Sequence, residues 1–386
     1  MLQLIELFQQ QGWKVTFASV AADSQFAVDL KSLNVDKVTL ELNSSIFDTF
    51  IQSLNPGIVM FDRFMTEEQF GWRVAENCPE AVRILDTEDL HCLRSARQLA
   101  WKEKRTFSKA DLFCDVAKRE VASIYRCDLS LIISQYEMTL LNDVFKLDPS
   151  LAHYLPFMLD PADTSDWLVF SEKKNFVTIG NFLHDPNLNS VHFLKEEIWP
   201  LIRQKMPGAQ LYVYGAYPSQ KVTQLHKASE GFNVMGRADD AKKVISEAKV
   251  LLAPLRYGAG LKGKLIDAMM FGTPNVTTSV GAEAMHGEME WSGLVADDAE
   301  SFADAAVSLY SDENLWKQKQ ENGKKIINTL FQKEEAGNRL IDKIIQLQAD
   351  LQNHRRNNFT GAMLMHHTIS GTKYMSKWIE EKNKES

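Results

Sequence analysis

The sequence predicts an α/β protein made of two doubly wound, Rossmann-like units. Three observations carry that prediction. Short apolar runs alternate with helical stretches from about residue 13 to 134, and do so again from 175 to 278, the order that yields parallel strands covered by helices. Prolines and acids interrupt the alternation over residues 155–171. A chain of 386 residues is also long enough for two domains, each with its own core.

The first unit opens on a helix whose apolar face is Leu2, Leu4, Ile5, Leu7 and Phe8; Gly12 ends it before a strand over 13–19. A doubly wound domain ordinarily opens with a strand and a glycine turn, so the first strand of this unit is expected to be missing. Further strands are expected over 37–42, 57–61, 81–85 and 129–134. Between them, a helix over 107–126 places Ala110, Phe113, Ala117, Val121 and Ile124 on one stripe for packing on the sheet.

After the break, strands are expected over 175–179, 210–214, 233–235, 249–255 and 275–278, with helices between them. Beyond residue 299 the pattern is helical, including 338–352 with Leu340, Ile341, Ile344, Ile345 and Leu351 on one face. A polar break covers 353–358, and residues 372–384 carry Tyr374, Met375, Trp378 and Ile379 among charges, the pattern of a docking amphipathic helix. The expected units are therefore 1–160 and 161–352, with a C-terminal helix over 362–386 joining the first.

Composition narrows the class. Hydrophobic content of 45% with 24% charged residues is ordinary for a globular protein. Fifty-one acids against forty-three bases give a net charge of -8, which excludes a general nucleic-acid binder. Cys78, Cys92, Cys114 and Cys127 show no metal-ligand spacing and read as free thiols in a reducing compartment. With no apolar run long enough for a bilayer and no signal-peptide pattern, a cytoplasmic chain with at most peripheral membrane contact is expected. His366 and His367 have no further ligands near them in sequence and read as a solvated pair.

The chemistry concentrates in residues 249–278, where an apolar strand enters a glycine-rich basic loop and then a helix. Glycines let backbone N–H groups approach a phosphate, and the helix start adds unpaired donors and a positive dipole end. Gly258, Gly260 and Gly263 spell G-x-G-x-x-G, with Glu283 twenty residues later where a dinucleotide-binding acid would sit. Gly258, Gly263 and Lys264 spell most of a P-loop, but Leu265 replaces its magnesium-binding hydroxyl. Pro254 and Arg256 interrupt the approach to the glycines and count against the dinucleotide version.

Three separated segments resemble the GT-B glycosyltransferases, specifically the family-four (glycosyl transferases group 1) type: residues 179–182 with Pro186 and Asn187; residues 234–237; and residues 253–264 continued by Asp267, Ala268, Met269, Gly272, Thr273 and Pro274, then Gly281, Ala282 and Glu283. Residues 85–91 with Arg94 resemble the family more loosely. The resemblance implies two domains facing a cleft, with a nucleotide-diphosphate sugar bound by the second and a glycan, lipid-linked or protein acceptor by the first. It also implies transfer with retention and no catalytic metal or cofactor.

In that frame Lys264, with Lys262 and the backbone of Gly258, Gly260 and Gly263, would hold the diphosphate, while Gly180 and Asn181 would meet it from the opposite wall. Asp267 shares a helix face with Lys264 and would take a ribose hydroxyl, or is a surface acid. His91 resembles the position contacting donor sugar or acceptor and is a catalytic candidate beside Lys264, or is structural. Arg237 borders the base pocket or caps a loop; Glu283 faces the donor or fixes its own loop. Many family members carry two glutamates eight positions apart, whereas here the positions are Ala259 and Asp267, so the sugar is unreadable. The alternatives to a glycosyltransferase are a catalytically impaired nucleotide-sugar-binding or partner subunit, and an NAD-dependent oxidoreductase.

Overall fold

The computed structural model describes residues 1–24 and 26–366, with 375–376, 378–379 and 382 beyond them. In the first half, β1 (Thr16–Ser19) and β2 (Asp36–Thr39) form a parallel pair, and β3 (Ile58–Asp62), β4 (Val82–Asp86), β5 (Leu129–Ile132) and β6 (Ala152–Tyr154) form a parallel sheet in that order. In the second half, β7 (Lys174–Ile179), β8 (Leu211–Tyr214), β9 (Phe232–Gly236), β10 (Ala248–Ala253), β11 (Asn275–Thr277) and β12 (Gly293–Val295) pair in the order β12-β11-β10-β7-β8-β9, every pairing parallel.

Strand order in the second sheet reverses between β7 and β10, and a crevice opens at the carboxyl ends of strands where this happens. All six residues of β10 are buried. Alternation sends Val250 and Leu252 into the cluster around Trp199, Phe232 and Phe302, and Leu251 and Ala253 into the cluster around Leu265, Met269 and Phe331. A strand buried on both faces reads as a continuous apolar run, which is why β10 was legible, although it ends at Ala253, two residues before the expected Leu255.

Three expectations are corrected. The helix expected over 107–126 begins only at Asp115: a 3-10 turn, Lys109–Leu112, and an extended Cys114 precede it. Phe113 is consequently 69% exposed, and the buried stripe is Leu112, Ala117, Glu120, Ser123 and Ile124. The polar stretch expected as a break at 353–358 is mostly helix, Leu351–Asn357, and the interruptions fall at Asp350 and, at the end of that stretch, Asn358. The strands β6 and β12, of three residues each, were not expected.

The helix Lys333–Ala349 buries Leu340, Ile341 and Ile344 in one cluster with Val82, Ile84 and Leu129, so this late segment covers the first half's sheet. The amphipathic helix expected over 372–384 lies largely outside the described residues. Among the described residues no helix is long and apolar enough to cross a membrane.

Candidate active site

β7 and β10 are neighbours, so the chain leaving each one at its carboxyl end meets the other across the switch point. Between them lies a cleft of about 320 Å³, walled by Ile179, Gly180 and Asn187 on one side and by Ala259, Leu261, Lys262, Gly263, Lys264 and Asp267 on the other. Gly180 has no room for a side chain: a Cβ there would lie 2.8 Å from the Asn187 amide and 3.0 Å from Lys264 Nζ. The glycine is thus what allows the lysine to cross toward the β7 wall.

Lys264 Nζ donates to Asn187 Oδ1 at 2.9 Å. Burial pushes its pKa down to about 8, which leaves the ammonium charged at neutral pH but poorly solvated and receptive to an anion. Asp267, less than one turn further along the helix Gly263–Met270, is open to the solvent of the cleft; the surrounding walls thin its hydration and push it up to about 6. Lys264 and Asp267 therefore meet in one cleft, as their spacing implied.

The glycine loop is held from the first half of the chain. Arg97, on the helix His91–Lys102, donates at 2.9 Å to the carbonyl of Gly258 and at 2.9 and 2.7 Å to the two carboxylate oxygens of Glu283. Glu137, fully buried on the helix Gln135–Asp143, accepts at 2.8 Å from the N–H of Gly260 and at 3.0 Å from that of Leu90. Gly260 has φ +61, and a Cβ on it would stand 2.8 Å from Asp89 Cβ, so the loop's close approach to the first half requires glycine. Buried Lys262 turns its ammonium back onto the carbonyl of Gly260 at 2.6 Å, and burial lowers it to about 8, the Glu283 carboxylate opposing the shift.

Several candidates are thereby placed elsewhere than expected. Glu283 is engaged with Arg97 rather than facing the cleft, which also leaves a dinucleotide ribose without its acid. The N–H of Gly260 is spent on Glu137, and the Lys262 ammonium on the loop itself. Asn181 accepts from the N–H of Leu183 at 2.9 Å and so organises its own turn. Arg237 is exposed and lies over the Phe26 ring, 4.4 Å from its centroid.

His91 stands at the first turn of its helix, its Nε2 3.5 Å from Asp89 Oδ1 and its ring edge-on to Phe64. Burial, reinforced by the charge of Arg94, lowers it to about 4, so it is neutral at pH 7 and does not line the cleft. Arg94 pairs with Asp89 and borders an adjoining hollow of about 230 Å³ with Gln98, His184 and Tyr257.

Arg97, Glu120 and Glu137 were not read from the sequence. Glu120 accepts from the N–H groups of His91 at 2.8 Å and Cys92 at 2.9 Å, satisfying the helix start that Glu137 also serves through Leu90. Burial raises both carboxyls to about 7. The available signal was an acid falling on an apolar stripe, as Glu120 does beside Ala117 and Ile124.

Residues 173–312 match the family model described as Glycosyl transferases group 1. No curated protein matches the chain in sequence. Among solved structures, it is similar to sucrose-phosphate synthase of Thermosynechococcus elongatus, with TM-score 0.68 and 17% identity over 90% of this chain and 92% of that one. It is similar to HepE of Anabaena in complex with UDP and glucose, with TM-score 0.67 and 13% identity over 89% and 95%. TarM of S. aureus matches with TM-score 0.60 and 13% identity over 77% of this chain, which spans 57% of TarM's length.

Proposed function

From the premise that this chain has the GT-B glycosyltransferase fold, with group 1 family sequence over residues 173–312, we propose that it transfers a sugar from a nucleotide-diphosphate sugar to a glycan, lipid-linked or protein acceptor. One observation carries the reading: Lys264 reaches across the switch-point cleft to the Gly180 wall, with Asp267 on the same helix and the glycine loop beside it. That set suits a diphosphate and its ribose.

Breaking the bond to the sugar leaves negative charge on the diphosphate. Lys264, the start of the helix Gly263–Met270 and the loop N–H groups stabilise that charge, more strongly as burial removes competing water. Asp267 accepts from a ribose hydroxyl and fixes the nucleoside. Charge neutralisation by lysine instead of a metal follows the family resemblance, as does transfer with retention. The acceptor enters through the adjoining hollow that Arg94 borders.

Isothermal titration with UDP, GDP and NAD tests the ligand class, and binding of NAD alone overturns the reading. Lys264→Ala is expected to weaken nucleoside-diphosphate binding by about tenfold or more with the far-UV spectrum unchanged; unaltered affinity removes Lys264 from the site. Transfer that stops in EDTA and returns with magnesium overturns the metal-independent mechanism.

A further inference from the structure

We infer that Arg97 and Glu137, both from the first half, are positioning residues that aim the peptide groups of the glycine loop at the nucleotide diphosphate, making phosphate recognition depend on the docked first half. The inference rests on the proposed nucleotide-sugar reading.

The argument is in the peptide planes. A trans peptide carries its C=O and N–H on opposite edges, and no cis bond is present among the described residues. Arg97 holds the carbonyl of Gly258 at 2.9 Å, so the N–H of Ala259, in the same plane, points away from Arg97. Lys262 holds the carbonyl of Gly260 at 2.6 Å, so the N–H of Leu261 likewise points away from that buried ammonium.

Ala259 and Leu261 both line the cleft, and neither N–H has a hydrogen-bond partner among the described residues. Glu137 pins the residue between them through the Gly260 N–H, setting the register of both planes. Glu283 fixes Arg97 in turn with two hydrogen bonds at 2.9 and 2.7 Å, a bidentate geometry that leaves the guanidinium one orientation. The loop is thus a pair of inward-held carbonyls and a pair of cleft-facing donors.

The test is a pair of affinities, for UDP and for uridine (GDP and guanosine if the wild type prefers that base), measured on the full chain by titration and ligand-observed NMR. Arg97→Met and Glu137→Leu are expected to weaken UDP by about tenfold or more while uridine stays within about twofold. Glu137→Gln, whose amide oxygen still accepts from Gly260, should restore UDP to within about threefold of wild type. Unchanged UDP affinity, or UDP and uridine falling together, overturns the inference.

If either apolar variant fails to fold, Arg97→Lys decides. It keeps the charge but cannot span Gly258 and Glu283 together, so a UDP-selective loss supports the aiming role and an unchanged UDP-to-uridine ratio overturns it. A wild type that binds neither UDP nor GDP instead fails the reading beneath, and the inference with it.

Discussion

Lys264 combines two properties that ordinarily oppose each other, charge and burial. Burial costs an ammonium its hydration, and the Asn187 amide returns only part of it, so an incoming diphosphate gains an interaction that water does not compete for. Its pKa, lowered to about 8, also sets a pH limit. A lysine binds an anion while protonated, so affinity for UDP should fall as pH rises through about 8; titrations from pH 7 to 10 check this. In Lys264→Arg, which stays protonated, that fall should shrink, the remainder coming from Lys262, which lines the same cleft and is also lowered to about 8. An affinity that holds level to pH 10 in the wild type contradicts the assigned charge.

At the scale of elements, the helix Gly263–Met270 is fixed at both ends by groups outside it. Its start follows the loop pinned by Arg97 and Glu137; its far end is closed by Lys173, whose buried ammonium donates to the carbonyls of Gly272 at 2.8 Å and Phe271 at 3.3 Å and to Thr273 Oγ1 at 2.6 Å. Burial lowers Lys173 to about 7, so below that pH its ammonium meets the negative end of the dipole and the unpaired carbonyls, and above it the neutral amine still donates to them. Lys173→Met should therefore lower stability by about 1–3 kcal/mol in urea unfolding. A midpoint equal to wild type would show that Gln320, which also donates to Gly272, suffices.

At the scale of the whole molecule, the two halves are joined through the very loop that faces the nucleotide. Besides Arg97 and Glu137, Gln98 donates to Asp185 at 3.0 Å, Trp101 packs on Tyr257, and the Arg256 guanidinium lies over Trp101 at 4.7 Å. Because protein groups alone make these contacts between the halves, UDP should bind with little compaction, and small-angle scattering with and without UDP should give the same radius of gyration. A clear contraction on adding UDP would show that these contacts need the ligand to form.

Residues 249–278 were legible alone because their information is local: a six-residue apolar strand, three glycines and a helix with Lys264 and Asp267 three apart all act within one turn or loop. The α/β alternation was legible for the same reason, a period being a property of neighbours. Glu283 and Arg97 stand 186 residues apart, and Glu137 and Gly260 stand 123 apart; no period or spacing links them. The sequence by itself thus determined the fold class, the anion loop and its helix. Only the tertiary structure decided which polar groups of that loop remain for a ligand, because burying a charge or an N–H demands a partner, and the partner comes from wherever the fold brings one.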